Sequence, residues 1–400
     1  MVAKIENEIK KSPNPLYQGG KNKFMDYAKK SIALHKKYRG KIEIRSKIKL
    51  KNKDDLSLAY TPGVAAVSSA IGKDKKLSWQ LTNRANQVAI VTDGTAILGL
   101  GNLGAEAAMP VMEGKAAIFK EFTGIDAMPL CINTKEVEEI INFCKQIEPS
   151  FGGINLEDIS APRCFEILER LEKELSIPVF HDDQDGTAIV VLAALINACK
   201  VIGKAMKNLK IVINGAGAAG LAIARLLLAV GAGELILLDS QGIICAGREK
   251  INSVKYEFAL KTNLKKIKGG LADALAGADV FIGVSQANLV MPEMIKSMVA
   301  KPIIFAMANP IPEIMPDLAI KAGASIVGTG RSDFPNQINN ALVFPGIFRG
   351  LLDKGVKHVT MQIKIKAAMA LAGVIKPSRN QILPAVTDKR VVKAIAKAVK

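Results

Sequence analysis

Carboxylate side chains are concentrated in two short segments in the middle of the chain. Glu157 and Asp158 end one apolar run, and Asp182 and Asp183 end the next. Clustered carboxylate oxygens suit Mg²⁺ or Mn²⁺ better than zinc. A glycine-rich sequence, typical of a loop that binds a dinucleotide, follows about thirty residues later. A metal site beside a nicotinamide indicates an enzyme that oxidises a hydroxy acid and then polarises the product.

The glycine-rich sequence has the context that a dinucleotide loop requires. It follows an apolar strand at 210–213, opens a helix at 218–230, and precedes a strand that ends in Asp239. The acid stands about twenty residues past the loop, as in the dinucleotide-binding pattern. The first glycine allows a tight turn, the second lets the backbone approach the pyrophosphate, and the third lets the helix pack on the strand. The predicted cofactor-binding residues of this loop are Gly215, Gly217, Ala218, Ala219 and Gly220.

The residues expected near the adenosine ribose are compatible with either NAD or NADP. Asp239 can accept hydrogen bonds from the ribose and would repel a 2′-phosphate, which favours NAD. Arg248 and Lys250 lie nearby in the sequence and could accommodate NADP. NAD is therefore the expected cofactor, with NADP as the alternative.

A second match to the same glycine pattern, at residues 99–104, lacks this context. It follows a turn-like Asp93-Gly-Thr, Pro110 is expected to interrupt the segment after it, and no acid ends a later strand at the right distance. We interpret it as a turn in a substrate-binding domain.

Helix capping is the alternative explanation for the four carboxylates. Ser160 and Asp185 are better placed than they are to cap the following helices, so metal binding remains the better interpretation. His181 precedes the second acidic pair and could be a fourth ligand, although a structural role supporting the loop is favoured.

Apolar runs that alternate with amphipathic segments predict an α/β protein with parallel sheets covered on both faces. We expect an N-terminal α/β substrate and metal domain over 1–180. A Rossmann-type doubly wound parallel sheet with C-terminal helices should occupy 181–400. The first 50 residues and the last forty are predicted to be helical. Strands are predicted at 88–91, 127–132, 153–156, 178–180, 210–213, 234–238, 279–284, 302–306 and 325–327, and helices at 135–146, 162–174, 187–202, 218–230 and 292–299.

Composition bounds the class of protein. The chain has 400 residues, is 49% hydrophobic and carries a formal net charge of +18. The basic residues are spread along the chain and aromatic residues make up only 5%, so a dedicated nucleic-acid role is not expected. No signal peptide is recognised, the apolar runs are too short to span a bilayer, and five scattered cysteines favour a reducing, cytoplasmic location.

Several motifs, taken in order, resemble the malic enzyme family in its short prokaryotic form. The resemblance runs from about residue 15 to 375. The matching segments are 57–64, 91–104, 109–115, 155–158, 180–183, the nucleotide loop, 305–310 and 330–340.

This resemblance implies oxidative decarboxylation of (S)-malate to pyruvate and CO₂ by a nicotinamide cofactor and Mg²⁺ or Mn²⁺. It also implies a homodimer. A lysine close to a divalent cation is expected to have a depressed pKa, so that it can accept the hydroxyl proton. By motif, the metal ligands are Glu157, Asp158 and Asp183, the supporting acid is Asp182, the general base is Lys115, the general acid is Tyr60, and the residues at the substrate or the nicotinamide are Asn309 and Asn340.

Two other functions remain open. One is a metal-independent hydroxy-acid dehydrogenase that does not decarboxylate, and the other is a non-catalytic regulatory or nucleic-acid-binding protein. The carboxylate cluster disfavours the first, because simple hydride transfer usually needs no metal. The chain also departs from the family at Asp185, where short forms commonly have His, so the charge near the metal loop is expected to differ.

Overall fold

The structure, a computed structural model, describes residues 15–249 and 251–400, with side chains from residue 27 onward. The described residues up to 49 and those from 50 onward form separate units. The described part of the first unit is helix α1 (Pro15–Tyr38), followed by a segment without regular secondary structure. The helical prediction for the first 50 residues is therefore confirmed over α1 and wrong for residues 39–50, which form turns and irregular structure; the first 14 residues lie outside the described part.

The second unit begins with short helices and a parallel sheet. Strands β1–β4 pair in the order β2-β1-β3-β4, and every pair is parallel. Apolar residues such as Val88 to Val91 are fully buried in the central strand, as expected for a sheet covered on both faces. The helices are α2 (Lys53–Ala59), α3 (Val64–Lys73), α4 (Ser78–Leu81), α5 (Ala105–Thr123), α6 (Val137–Ile147) and α7 (Arg163–Glu174), and the strands are β1 (Gln87–Thr92), β2 (Asp126–Cys131), β3 (Gly153–Leu156) and β4 (Val179–His181).

A second sheet contains the predicted nucleotide loop. Its strand order is β10-β9-β8-β5-β6-β7, so the chain leaves the central strand β5 in both directions. This is the doubly wound arrangement whose switch point, between β5 and β8, is where ligands bind. The strands are β5 (Lys210–Asn214), β6 (Glu234–Asp239), β7 (Gly242–Ile243), β8 (Val280–Gly283), β9 (Ile303–Ala306) and β10 (Ile326–Thr329).

Helices cover the second sheet and complete the core. They are α8 (Thr187–Ile202), α9 (Ala218–Ala229), α10 (Ser253–Lys261), α11 (Leu271–Leu275), α12 (Pro292–Lys296), α13 (Pro316–Lys321), α14 (Phe344–Lys354), α15 (Met361–Ala372) and α16 (Arg390–Ala398). The mixed α/β fold with parallel sheets confirms the predicted fold class. The first sheet ends with β4 at His181 and the second begins with β5 at Lys210, but one hydrophobic core joins side chains of both, including Phe180 and Ile213. The domain boundary near residue 180 stays a prediction.

The segment Asp182–Ile202 is long and apolar enough to cross a membrane by length and composition, with a mean hydropathy of 1.7. It is longer than the apolar run seen in the sequence because an acidic turn continues directly into α8. However, 72% of its most apolar part is buried inside the protein, as in the core helix of a globular domain.

Two further local predictions were wrong, and one short strand was missed. Pro110 does not end a helix, because α5 runs through it; a helix of 19 residues packed on the core tolerates one missing N–H group. The last forty residues are helical only in α15 and α16, since Pro377 and Pro384 fall in the irregular segment between them. The short antiparallel strand β7 was not predicted.

Candidate functional site

The two acidic segments meet at one edge of the first sheet. Strands β3 and β4 are parallel neighbours, and Leu156 lies opposite His181 at their carboxyl ends. The residues that follow, Glu157 and Asp158 on one strand and Asp182 and Asp183 on the other, therefore emerge side by side. Residues 182–186 then form a turn of π-helix that leads into α8. Such turns often occur at functional sites.

Three of the four carboxylates form a group that could hold a cation. One carboxylate oxygen from each of Glu157, Asp158 and Asp183 lies within 4.8 Å of the others. Asp158 has a left-handed backbone (φ 52°), and its N–H donates to Asp183 Oδ2 at 2.8 Å. Asp158 Oδ2 is buried, and no group in the described part of the chain forms a hydrogen bond with it. An all-oxygen donor set with an unsatisfied buried acceptor fits Mg²⁺ or Mn²⁺.

Burial makes these carboxylates costly to ionise without a cation. It is the largest cause raising the pKa of Glu157, Asp158 and Asp183, and repulsion from a neighbouring carboxylate adds to it in each case. With Asp182 the cluster has four carboxylates, and within the described part of the chain the ammonium group of Lys115 pairs with two of them, Glu157 and Asp182. A divalent cation would remove most of this excess negative charge.

Lys115 is joined directly to the acidic cluster. It lies on α5 and is 7% exposed. Its Nζ atom is 2.8 Å from Glu157 Oε2, donates to the carboxylate of Asp182, and lies 4.2 Å from the centre of the Phe344 ring. Burial lowers the pKa of Lys115, but Asp182 and Glu157 outweigh burial and raise it. In the chain without a cation the pKa of Lys115 is therefore raised, because two carboxylates contact the amine, and the depressed pKa expected beside a divalent cation stays a prediction.

A buried framework that the sequence did not reveal supports the loop carrying Asp158. Arg163 pairs with Asp93 at 2.9 Å and donates to Thr95, whose hydroxyl accepts the N–H of Ser160 at 2.9 Å. Ser160 does not cap α7, which has no side-chain cap. The Asp-Gly-Thr sequence thus forms a turn that also anchors the metal loop.

The acid at position 185 has a partner from a distant helix. Asp185 accepts a hydrogen bond from Lys364 of α15 at 2.7 Å. It does not cap α8, which has no side-chain cap. Lys364 therefore offsets the negative charge of Asp185, although Asp185 still contributes to raising the pKa of Asp182. Asp185 is therefore neither the cap of α8 nor a member of the carboxylate group above, and its bond to Lys364 holds α15 against the π-turn.

His181 lies behind the cluster. It is fully buried, and its Nδ1 atom is 3.8 Å from Asp183 Oδ2. Burial lowers the pKa of His181 to about 4, so the ring is neutral near pH 7. It is not among the carboxylates grouped above, and its position supports the favoured structural role.

The two predicted asparagines lie beside two different loops of the first sheet's region, Asn340 at the π-turn and Asn309 at the first glycine loop. A Cβ atom at Gly186 would lie 3.3 Å from Asn340 Cβ, which places Asn340 beside the π-turn. A Cβ atom at Gly99 would lie 3.0 Å from the carbonyl oxygen of Asn309. The first glycine loop therefore contacts the segment that follows β9, rather than forming a second nucleotide loop.

A buried glutamate holds the loop that carries Asn309. Glu313 is fully buried and accepts the N–H groups of Ser285 and Ala308, each at 3.0 Å. These residues follow β8 and β9, so one side chain links two loops at the carboxyl edge of the sheet. Nothing in the sequence pattern indicated this role of Glu313.

Tyr60 is not brought to the cluster within one chain. It lies between α2 and α3 and is 68% exposed, and no hydrogen bond or ion pair among the described residues joins it to Lys115. Neither α2 nor α3 contains a buried residue, although α3 is largely apolar.

The second glycine loop has the shape of a phosphate cradle. Gly215 has φ 122°, and a Cβ atom there would lie 2.6 Å from Val284 O, so only glycine fits. At Gly220 a Cβ atom would lie 1.8 Å from Gly215 O. Gly217 faces open space, and helix α9, which starts with Ala218 and Ala219, has no side-chain cap. Its free N-terminal N–H groups fit a pyrophosphate.

Comparison with known proteins gives matches over both parts of the chain. Residues 39–172 match the family model "Malic enzyme, N-terminal domain", and residues 184–400 match "Malic enzyme, NAD binding domain". The chain is 54% identical to a bifunctional malic/malolactic enzyme of Bacillus subtilis over 94% of this chain and 92% of that one. It is 53% identical to an NAD-dependent malic enzyme of Geobacillus stearothermophilus over 90% and 76%. The crystal structure of an NAD-dependent malic enzyme from Thermotoga maritima superposes with a TM-score of 0.90, at 48% identity over 92% and 98%.

Proposed function

The chain belongs to the malic enzyme family, and we infer that it oxidatively decarboxylates (S)-malate to pyruvate and CO₂ with reduction of NAD or NADP. The observation that carries the assignment of roles is the buried contact of Lys115 with Glu157 and Asp182. It places a proton acceptor beside the group of carboxylates that fits a divalent cation. A metal-independent dehydrogenase would not need that group.

Each bound partner supplies one part of the chemistry. A cation held by Glu157, Asp158 and Asp183 would act as a Lewis acid during decarboxylation. A nicotinamide held at the second glycine loop would accept the hydride from C2 of malate. The remaining steps are proton transfers and positioning, which the chain's own residues perform.

Lys115 takes the proton of the C2 hydroxyl group. If Glu157 binds a cation, its negative charge would no longer favour the ammonium form of Lys115, which would lower the pKa of Lys115 and let the neutral amine accept this proton. Asp182 keeps the amine oriented and can share its proton. The C3–C4 bond then breaks, CO₂ leaves, and C3 receives a proton, for which Tyr60 is the proposed donor. Asn309 and Asn340 are proposed to hold the substrate and the nicotinamide.

Tyr60 can serve this role in a homodimer. In the isolated chain it is 68% exposed, and the helices on either side of it bury none of their residues. A second copy that covers this apolar surface would bring the Tyr60 of one subunit to the Lys115 of the other. The site would then be complete only in the dimer.

Cytoplasmic location is part of the proposal. It rests on five free cysteines, four of them buried, which suit a reducing compartment.

The test of function is reduction of NAD, and separately NADP, by (S)-malate with and without Mn²⁺, while pyruvate and lactate are assayed. We expect metal-dependent reduction of the nicotinamide cofactor, with an equal amount of pyruvate formed. Oxaloacetate without pyruvate would instead indicate a simple dehydrogenase. Lactate without net reduction would indicate the second activity named for the Bacillus relative.

Mixing two inactive variants tests the shared site. Tyr60→Phe and Lys115→Ala should each abolish turnover, and a mixture allowed to exchange subunits should regain up to about a quarter of wild-type activity, since a random heterodimer holds one intact site. No recovery from a mixture shown to contain heterodimers would contradict the shared site.

A further inference from the structure

The acid at the end of β6 is fully occupied by partners from its own chain. Asp239 Oδ1 accepts from Arg248 Nη1 and the N–H of Gln241, both at 2.9 Å. Asp239 Oδ2 accepts from Arg248 Nη2 at 2.6 Å and from Lys255 Nζ at 2.7 Å. An ionised carboxylate offers about four lone-pair positions, and four donors fill them here. No acceptor position is left for a ribose 2′-hydroxyl.

This acid stands where the adenosine ribose of a bound dinucleotide is expected. The N–H of Gly215 donates to the carbonyl of Leu238 at 2.9 Å, so the phosphate loop and the end of β6 are in direct contact. The usual way for NAD to be recognised at this position is a hydrogen bond from the ribose to a free carboxylate. Arg248 and Lys255 prevent that, and they change the local charge from −1 to +1.

We propose that Arg248 and Lys255 form a 2′-phosphate site, and that they make NADP the preferred cofactor of this enzyme. The proposal rests on the proposed function and names the residues that set its cofactor specificity. It also reverses the preference for NAD that the sequence suggested, because Asp239 neutralises only half of the charge beside it. Lys250 lies outside the described residues and is not needed.

The cationic pair is built into the fold. Arg248 is 15% exposed, and its guanidinium is fixed by a two-pronged contact with Asp239 and a further bond to Gly242 O at 3.2 Å. Its Nε atom is buried and has no hydrogen-bond partner among the described residues. Lys255 lies in the first turn of α10, which Asn252 caps, and is 23% exposed. Both cations are thus held in place before a ligand arrives, which lowers the entropic cost of binding.

An anchoring role for the same contacts gives the opposite expectation. If Arg248 and Lys255 merely orient Asp239 as an acceptor for the ribose, NAD should bind better than NADP. The occupied lone pairs argue against this, since the ribose hydroxyl would have to displace a charge-assisted bond with a neutral one.

Binding of adenosine fragments tests the proposal without relying on turnover. Calorimetry or competition with adenosine 2′,5′-bisphosphate and adenosine 5′-monophosphate should show at least ten-fold tighter binding of the bisphosphate, as charge-assisted bonds to a phosphate imply. That preference should shrink as salt is added. Equal or tighter binding of the monophosphate would overturn the proposal, whether or not the enzyme oxidises malate.

Variants identify the residues responsible. Arg248→Gln and Lys255→Gln should each lower kcat/KM for NADP by about ten-fold and leave that for NAD within about three-fold, with Arg248→Lys retaining part of the preference. Lys261→Gln is the matched control, because Lys261 lies on the same helix, is exposed and pairs with Glu257. If the double glutamine variant is folded and still prefers the bisphosphate, these residues do not form the site.

Discussion

Removing one carboxylate from the metal group should have opposite effects on the free protein and on the protein with metal. Asp158→Asn is the most informative substitution, because Asp158 is buried and its Oδ2 atom has no partner. Asparagine has nearly the same shape and tolerates the left-handed backbone at this position. Its amide can also donate to the carboxylates beside it.

The magnitude follows from the cost of burying the charge. Burial and two neighbouring carboxylates raise the pKa of Asp158 from 3.8 to about 9. Each pH unit between the ordinary pKa of an aspartate and pH 7 corresponds to about 1.4 kcal/mol. The destabilisation of the folded protein by Asp158 at pH 7 therefore has an upper limit of roughly 4 kcal/mol. Relaxation around the site reduces this, so we expect the metal-free variant to gain about 2 kcal/mol in free energy of unfolding.

The assay is chemical unfolding at pH 7 with a chelator and with saturating Mn²⁺. Wild type should gain about 2.7 kcal/mol when Mn²⁺ is present at a hundred times its dissociation constant, and Asp158→Asn should gain far less. Glu136→Gln is the control, since Glu136 is exposed and distant in sequence from the acidic segments. A metal-free variant that is less stable than wild type, or that keeps the full Mn²⁺ stabilisation, would refute the reasoning.

Three further predictions concern groups around the site. Burial raises the pKa of Glu172 to about 7. Its contribution to the free energy of unfolding is therefore fully present below pH 4.5 and is lost as the pH rises toward 7. In unfolding experiments, Glu172→Gln should leave the free energy of unfolding unchanged at pH 4 and raise it by about 1 kcal/mol at pH 8. Lys364→Met should leave Asp185 buried without its partner and cost about 3 kcal/mol, a loss that Asp185→Asn in the same chain should largely reverse. Glu313→Gln should remove an acceptor from one of two backbone N–H groups, raise KM for the nicotinamide cofactor several-fold and change kcat little; a change in kcat alone would contradict a positioning role.

Much of the fold follows from the sequence because parallel strands are continuous apolar runs. The runs at β3 and β5 gave nearly correct bounds, and the order of strand, glycine loop, helix and acid placed α9 and β6. The predictions that failed concern short segments of the chain. A two-residue strand such as β7 has no periodicity to detect, and Pro110 lies inside a helix whose packing outweighs one lost hydrogen bond.

The acidic part of the site was also predictable, because carboxylates that end neighbouring parallel strands must meet at one edge. Contacts between distant segments were not. Asp185 finds Lys364 at a separation of 179 residues, and nothing distinguishes this lysine among 55 basic residues in the sequence. Likewise, the sequence indicated Arg248 as a cation near Asp239, but it did not reveal that Arg248 and Lys255 both bind the Asp239 carboxylate directly.

The most direct test of the central claim uses (S)-malate labelled at C4. We expect the purified enzyme with Mn²⁺ to release labelled CO₂, pyruvate and reduced nicotinamide in equal amounts. Asp183→Asn, or chelation of the metal, should abolish the formation of all three products together. Reduced nicotinamide without labelled CO₂, or release that persists after the metal is removed, would contradict the claim.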